Sequence, residues 1–501
     1  MDLDTNEPNA RGRGRLPSAA VLLAPLRTGL GKLNAGKRRL AAALAIPSEP
    51  SASSRGRSPS LAALLSFLWP GLGQFYVRNR RAAVLLGIPA LLVLLILVYQ
   101  MRKGPFVFAA RFVDPTFSRD AAAIVILAGL LRLVAVGHAF FGGERRQSRR
   151  ILDGGVVAVL AAIIVVSHAG AGYFLAVTSE AGGHAFGSPN PSLIDLSTPV
   201  RSPGGSATSG PTPTPVVTPA IDHRVTIVFT AVGQETPAQY DAIEVVSYDP
   251  TTHSVQMVDV PRDSASYPLY FGGYISRNIH MTWLPKTVSA GYLISPDSPY
   301  MTLVKEAGYL IGIPIDYYAA MDMTGFAKMI DKVGGVDVVN PRVIADPDYD
   351  WLDGSPYGFT LAAGTQHLDG RHAIAYVRSR GSEGDNNFVR DSRQQQVLVA
   401  LLHKMAQPSQ ILNLLDLIST LGSSVSTNFP ADKVADYVDA IGNDSSVVFK
   451  QVVLRPSAGF SDYIGGYVCL FNDKVAAESI ALFGKDSLWY GKTAPETRCP
   501  S

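Results

Sequence analysis

RVTIVFTAVGQETPAQYDAIEVVSYDPTTHSVQMVDVPRD, residues 224–263, holds three apolar runs separated by turn-forming residues. Arg224–Ala231, Ala242–Tyr248 and Val255–Val260 have the length and β-branched content of strands, and DPTTHS is the turn between the last two. The second run is apolar enough to be central, and the third empties into Pro261-Arg262-Asp263. Downstream, Tyr300–Leu310 and Met323–Val333 carry helical periodicity, and residues 334–339 bring the chain back as a strand. Helices are expected at Asp369–Val377, Asp391–Met405 and Pro430–Ile441, a strand at Val447–Leu454, and one more helical piece after Tyr463. Strands alternating with helices predict a three-layer α/β/α domain of about 220 to 270 residues, large enough to bury a full core.

Within this pattern the stretch Gly370–Lys404, GRHAIAYVRSRGSEGDNNFVRDSRQQQVLVALLHK, gathers Arg378, Arg380, Arg390 and Arg393 within sixteen positions, followed by Gln394. Guanidiniums so close repel one another unless an anion lies between them, and the planar five-donor fork suits a diphosphate or a carboxylate. A solvated basic face balanced by Glu383, Asp385 and Asp391 would also account for the spacing.

The 501 residues exceed one ordinary core, and 47% hydrophobic content is high for a wholly soluble protein. The net charge of +3 makes no case for nucleic acid as a partner. Residues 1–60 hold ten Lys or Arg against Asp2, Asp4, Glu7 and Glu49, the composition of a disordered tail beside an anionic membrane surface. Ala82–Tyr99, Ala121–Phe141 and Gly154–Leu175 are expected to span a bilayer. Residues 61–77 are broken by Pro70 and two glycines, so an interfacial or re-entrant helix is expected there. Arg145, Arg146, Arg149 and Arg150 place the loop before the third span in the cytoplasm. Everything after residue 176 is then extracytoplasmic. The loop 101–120, with Arg102, Lys103, Arg111 and Arg119, weighs against that orientation. Residues 178–220 are rich in Gly, Ser, Thr and Pro, a spacer that would lift a domain clear of the bilayer. Cys469 and Cys499 either form one disulfide in an oxidising compartment or stay free.

Four ordered segments carry a family resemblance: PRDS at 261–264, IPIDYYAAMDMTGFAKMIDKVGGVDVVNP at 313–341, LAAGTQHLDGRHAIAYVRSR at 361–380, and the Arg390 to Gln396 run. Together they resemble the LytR-CpsA-Psr family of envelope glycopolymer transferases over residues 224–405. The resemblance implies a membrane-anchored, extracytoplasmic domain (221–415, with 416–501 as its extension) holding a polyprenyl lipid in an apolar groove. It implies transfer of a phosphoglycan from polyprenyl diphosphate to cell-wall peptidoglycan with magnesium or manganese. Arg262, Arg378, Arg380, Arg390, Arg393 and Gln394 would grip the diphosphate, and Arg262, Asp263 and Asp241 would be catalytic. The metal would fall to Asp241 and Glu235, with Asp263 and Asp385 as further oxygen candidates.

The sequence also departs from the family pattern. Gln239 stands where an arginine precedes the second aspartate, Glu235 stands where an aspartate is expected, and about two residues are inserted between Asp385 and Arg390. A pyrophosphatase, or a non-catalytic protein that binds the lipid-linked polymer, is therefore the alternative. Either Asp263 or Asp241 would take the acceptor proton. His280, His367 and His372 stand among non-ligand neighbours without zinc spacing, and no nucleotide-binding fingerprint occurs.

Overall fold

The computed structural model describes residues 57–143, 150–187, 223–233, 239–405, 424–442 and 446–499, with single positions 407, 410, 417 and 422 between them. The basic N-terminal tail to residue 56, Glu235, the 145–149 arginines and residues 188–222 of the expected spacer lie outside the described residues. The chain divides into two compact units, one from residues up to Leu97 with Val125–Gly170, the other from Val98–Ile124 with Ala171–Ser501.

In the first unit, α1 (Pro59–Leu68) and α2 (Leu72–Tyr76) are parted at Trp69–Gly71. Gly71 adopts φ +103°, and a Cβ there would lie 2.5 Å from the Ala83 carbonyl oxygen, so glycine is needed for both reasons. Neither helix reaches spanning length. Three helices are long and apolar enough to cross a membrane: α3 (Arg80–Gln100), α5 (Pro115–Gly142) and α6 (Arg150–Gly187). The protein is thus a multi-span membrane protein with a folded extracytoplasmic domain after the last span.

One expectation about the connection changes. Helix α6 continues through Gly187, so residues 178–187 are not spacer. Those ten residues contain no proline, and Ser179 Oγ donates to the Pro115 carbonyl at 2.7 Å. The loop after the first span also packs directly on the outer domain. Val107 and Ala110 of α4 (Pro105–Ala110) are buried against Ala435 and Val438, and Lys103 Nζ lies 2.8 Å from Asp439 Oδ2. Of the basic residues that weighed against an external loop, Lys103 is thus paired with an acid, and Arg111 donates to Gln100 Oε1 at 2.8 Å.

The second unit is built on a six-stranded mixed sheet of order β10 (Val448–Val453), β3 (Ser254–Asp259), β2 (Tyr240–Asp249), β1 (Val225–Val232), β4 (Tyr317–Asp322) and β9 (Val425–Thr427). The central strands β1 (Val225–Val232), β2 (Tyr240–Asp249) and β3 (Ser254–Asp259) are the three runs read from the sequence. On one face Val228, Ile243, Val245 and Val258 pack with Tyr300, Leu303 and Ala307 of α8 (Pro299–Ile311), which follows the short α7 (Leu284–Ser289). Beyond them β4 (Tyr317–Asp322) leads into α9 (Met323–Lys332), and two small sheets pair β5 (Val336–Asn340) with β8 (Gly364–Leu368) and β6 (Ile344–Asp346) with β7 (Phe359–Leu361).

The arginine-bearing stretch forms α10 (Gly370–Arg378) and α11 (Asn387–Met405), capped by the side chains of Asp369 and Asn386. After β9 (Val425–Thr427), α12 (Val434–Gly442) joins α11 on the other face, where Tyr248, Val255 and Met257 meet Leu398, Tyr437 and Ile441. Helices on both faces complete the expected α/β/α layers. Edge strand β10 (Val448–Val453) runs parallel to β3. The region after Tyr463 contains a hairpin, β11 (Ser461–Ile464) and β12 (Tyr467–Leu470), before α13 (Asn472–Phe483). Cys469 and Cys499 are disulfide-bonded, and this ties the tail to that hairpin.

Candidate functional site: a guanidinium and carboxylate cluster at the end of β3

Antiparallel pairing of β2 with β3 opposes Glu244 to Asp259, which brings the start of β2 beside the residues that follow β3. The register of β1 against β2 slips between Ala231 and Val232, whose partners are Ala242 and Tyr240, so Asp241 is the extra residue of a β-bulge. A bulge re-aims one side chain out of the alternation. Here the Asp241 carboxylate accepts from Arg262 Nη1, directly across the strand pair.

The Pro261-Arg262-Asp263 turn is braced from two sides. Ser264 N–H returns to the Pro261 carbonyl at 2.9 Å, and β12 clamps the next residues through Val468 N–H to Asp263 O and Ala265 N–H to Val468 O. Asp263 Oδ2 accepts from Asn387 Nδ2 at 2.5 Å, and Arg380 Nη1 donates to Asn387 Oδ1 at 3.3 Å. Asp263 Oδ1 has looser neighbours, with His280 Nδ1 at 3.6 Å and Arg262 Nε at 3.8 Å.

Arg380 is exposed at the rim. Partial desolvation, then the charges of Arg262 and Arg390, push its pKa down, with Asp263 and Asp241 opposing. The chain thus holds cations near one another at a partly open surface, where an anion would relieve their repulsion.

Arg390 sits behind this rim. It is 4% exposed, and its Nε and Nη2 donate to Asp391 Oδ1 at 3.0 and 2.6 Å. Glu244, Asp259 and Asp391 gather around it, and Gln395 Nε2 donates to Glu244 Oε1 at 2.7 Å. Burial raises the pKa of all three acids, most for Glu244 and Asp259. For Arg390 burial works downward, but the Asp391 charge and hydrogen bond outweigh it and its pKa rises. The buried network therefore centres on the Arg390–Asp391 pair.

The remaining sequence candidates go elsewhere. Arg393 is buried and donates to Asp385 Oδ1 at 2.8 Å and to the Ser379 carbonyl at 3.2 Å. Asp385 also takes Arg342, so its carboxylate is committed to two guanidiniums. Arg378 lies beside Tyr349 rather than in the rim cluster, and Gln394 Nε2 donates to the Val377 carbonyl at 3.4 Å. Asp241, Arg262, Asp263 and Arg380 thus converge, Arg390 supports them from below, Arg393 and Gln394 bond within the surrounding frame, and Arg378 keeps its Nη1 buried without a hydrogen-bond partner among the described residues. Asn387 and His280 are the additions the sequence reading did not select. Asn387 lies in the inserted segment, where its spacing from Asp385 and Arg390 was the available signal.

Among the described residues no group of three or more His, Cys, Asp or Glu is placed to hold a metal ion. Asp241 nonetheless fits one ligand of a hard cation. A Cβ on Gly233 would lie 2.9 Å from Asp241 Oδ2, so the glycine leaves room at that oxygen. One or two carboxylates with substrate phosphates commonly suffice for magnesium.

The profile of the LytR_cpsA_psr family matches residues 221–481. The chain belongs to the LytR-CpsA-Psr family of cell-envelope glycopolymer transferases. A curated relative, the polyisoprenyl-teichoic acid–peptidoglycan teichoic acid transferase TagU of Bacillus anthracis, is 28% identical over 217 residues, 42% of this chain and 64% of the relative. The chain thus spans less than two thirds of that relative's length. The similarly described TagV of Bacillus subtilis is 28% identical over 192 residues, 38% of this chain and 44% of the relative. The crystal structure of B. subtilis TagV superposes with a TM-score of 0.41 at 23% identity, covering 54% of this chain and 99% of TagV.

Proposed function

We propose that this chain transfers a phosphoglycan from polyprenyl diphosphate to a cell-wall peptidoglycan acceptor on the outer side of the membrane. The observation that carries the reading is the convergence of Arg262 and Arg380 with Asp241 and Asp263 at one braced, partly open turn. Two guanidiniums and two carboxylates meet there, in a membrane-anchored domain of a transferase family. Arg262 and Arg380 hold the diphosphate oxygens, and the buried Arg390–Asp391 pair supports them from below. The acceptor hydroxyl oxygen bonds to the glycan-side phosphorus while the bridging P–O bond breaks towards polyprenyl phosphate. The hydroxyl proton passes to Asp263, whose Oδ1 has no neighbour among those cations at short hydrogen-bond distance.

Charge grows on the leaving phosphate during this step, and the fixed guanidiniums stabilise it without reorganising. Magnesium or manganese, held by Asp241 with Glu235 and the phosphates, would add a further positive charge at the same oxygens. Octaprenyl diphosphate binding to the detergent-solubilised full chain tests the anion site. Arg262→Ala and Arg380→Ala are each expected to weaken it at least tenfold and to reduce its salt sensitivity. Wild-type affinity in both variants would remove the proposed role of this cluster.

A further inference from the structure

The segment after the Pro261-Arg262-Asp263 turn is bound to it by its own backbone. Met281 N–H donates to Ser264 O and Thr282 N–H to Arg262 O, each at 2.9 Å, and Thr282 Oγ1 donates to Tyr240 O at 2.8 Å. Met281, Thr282 and Leu284 are at most 2% exposed, yet Trp283 among them is 46% exposed. A large apolar ring held outward in a rigid, otherwise buried turn forgoes burial that its neighbours obtain. Trp283 is also not isolated. The imidazole of His280 stacks on it with centroids 5.5 Å apart and planes 30° apart, and His280 Nδ1 is the group 3.6 Å from Asp263 Oδ1. The series Asp263, His280, Trp283 thus leads from the proposed proton acceptor to an open indole.

We infer that Trp283, backed by His280, is the subsite for a pyranose ring of the acceptor glycan. A pyranose carries apolar C–H hydrogens on its faces and hydroxyls around its rim. The C–H face complements the negative face of an indole, and imidazole, indole N–H and carboxylate can engage the hydroxyls. His280 covers one side of the indole and fixes its place relative to Asp263. A ring stacked on the exposed side is brought close to the carboxylate that takes the hydroxyl proton. Asp263 takes the acceptor hydroxyl proton and Trp283 is linked to it through His280, so the saccharide at the aromatic pair is assigned to the acceptor. This assignment rests on the proposed transferase reading, and it makes Trp283 a binding residue and His280 a positioning residue.

The test titrates the full chain in nanodiscs with two probes separately: chitotetraose as a soluble β-linked N-acetylhexosamine, and octaprenyl diphosphate. Trp283→Ala is expected to weaken chitotetraose binding by roughly tenfold, and Trp283→Phe by much less, because an aromatic face is retained. Neither substitution should move octaprenyl diphosphate affinity by more than about twofold. His280→Ala should weaken chitotetraose less than Trp283→Ala, and His280→Phe should recover most of the loss. Absence of chitotetraose binding by the wild type, or equal binding by wild type and Trp283→Ala, overturns the inference. So does a parallel loss of octaprenyl diphosphate, which would place the indole on the donor side. Failure of the wild type to bind octaprenyl diphosphate counts instead against the diphosphate reading, and is seen in its own arm.

Discussion

Replacing Glu306 by glutamine should change how the stability of the outer domain responds to pH. Glu306 lies on α8 at 0% exposure, with Oε2 accepting from the Tyr270 N–H at 3.2 Å and Oε1 buried without a hydrogen-bond partner. Burial pushes its pKa from 4.5 up to about 8, with the Tyr270 hydrogen bond opposing. Below pH 4.5 both folded and unfolded chains carry the proton. Between pH 4.5 and 8 the unfolded chain has released it while the folded one retains it, so stability falls by about 1.4 kcal/mol per pH unit. Above pH 8 both states are ionised and the decline stops.

At pH 7 the accumulated loss is about 3 kcal/mol, and glutamine, near in shape and unable to ionise, should be free of it. For a domain of this size the gain corresponds to roughly 6 to 12 °C in midpoint. Thermal unfolding of the full chain in detergent, wild type beside Glu306→Gln, checks this at pH 5 and pH 7. The variant should melt close to wild type at pH 5 and well above it at pH 7. An equal difference at the two pH values would refute the argument, because Glu306 would then keep the same ionisation in both states.

Breaking the Arg390–Asp391 pair by Asp391→Ala should cost about 3 to 5 kcal/mol, since it leaves a guanidinium buried without its partner, and a lowered midpoint would show it. Replacing both Cys469 and Cys499 by serine opens a loop of sequence separation 30 and should cost roughly 3.5 kcal/mol. It should also increase hydrogen exchange at Val468 and Ala265, whose N–H groups clamp the Asp263 turn; unchanged exchange there would show that the brace does not depend on the bond. Met101→Cys, at an exposed position in the loop that packs on the outer domain, should react with a membrane-impermeant maleimide added to intact cells. Labelling only after lysis would place that loop in the cytoplasm.

The strands of the central sheet were legible because each is a short apolar run bounded by turn residues. The apposition of Asp241 with Arg262 followed from pairing β2 with β3. The bulge that turns Asp241 outward was not legible, because one extra residue in a strand leaves no periodic signature. The four arginines also looked like one set in the sequence. Arg378 ends α10 while Arg380 lies two residues past it, and that step sends one side chain to Tyr349 and the other to the rim. Arg393 was masked in a similar way, since its partner Asp385 reads as one of several balancing charges.

Helix α11 begins at Asn387, earlier than Asp391, because the Asn386 side chain caps it, a signal hidden within a polar stretch. His280 and Trp283 stand in an aperiodic segment. Hydrogen bonds to the Arg262, Ser264 and Tyr240 carbonyls bring them to Asp263. The hairpin after Tyr463 was missed although its signal is local: Ile464 pairs with Tyr467 across Gly465-Gly466, both at positive φ, and Tyr467–Leu470 is a β-prone run.

The most direct measurement is turnover of a polyprenyl-diphosphate oligosaccharide by the full chain with magnesium and a peptidoglycan acceptor, reading release of polyprenyl phosphate. The account predicts acceptor-dependent release that falls by about 10² to 10³ in Arg262→Ala and also collapses in Asp241→Ala. Release of free glycan phosphate without acceptor would instead indicate a pyrophosphatase. Intact substrate, despite octaprenyl diphosphate binding and correct folding, would contradict the transferase account and leave a binding or regulatory protein.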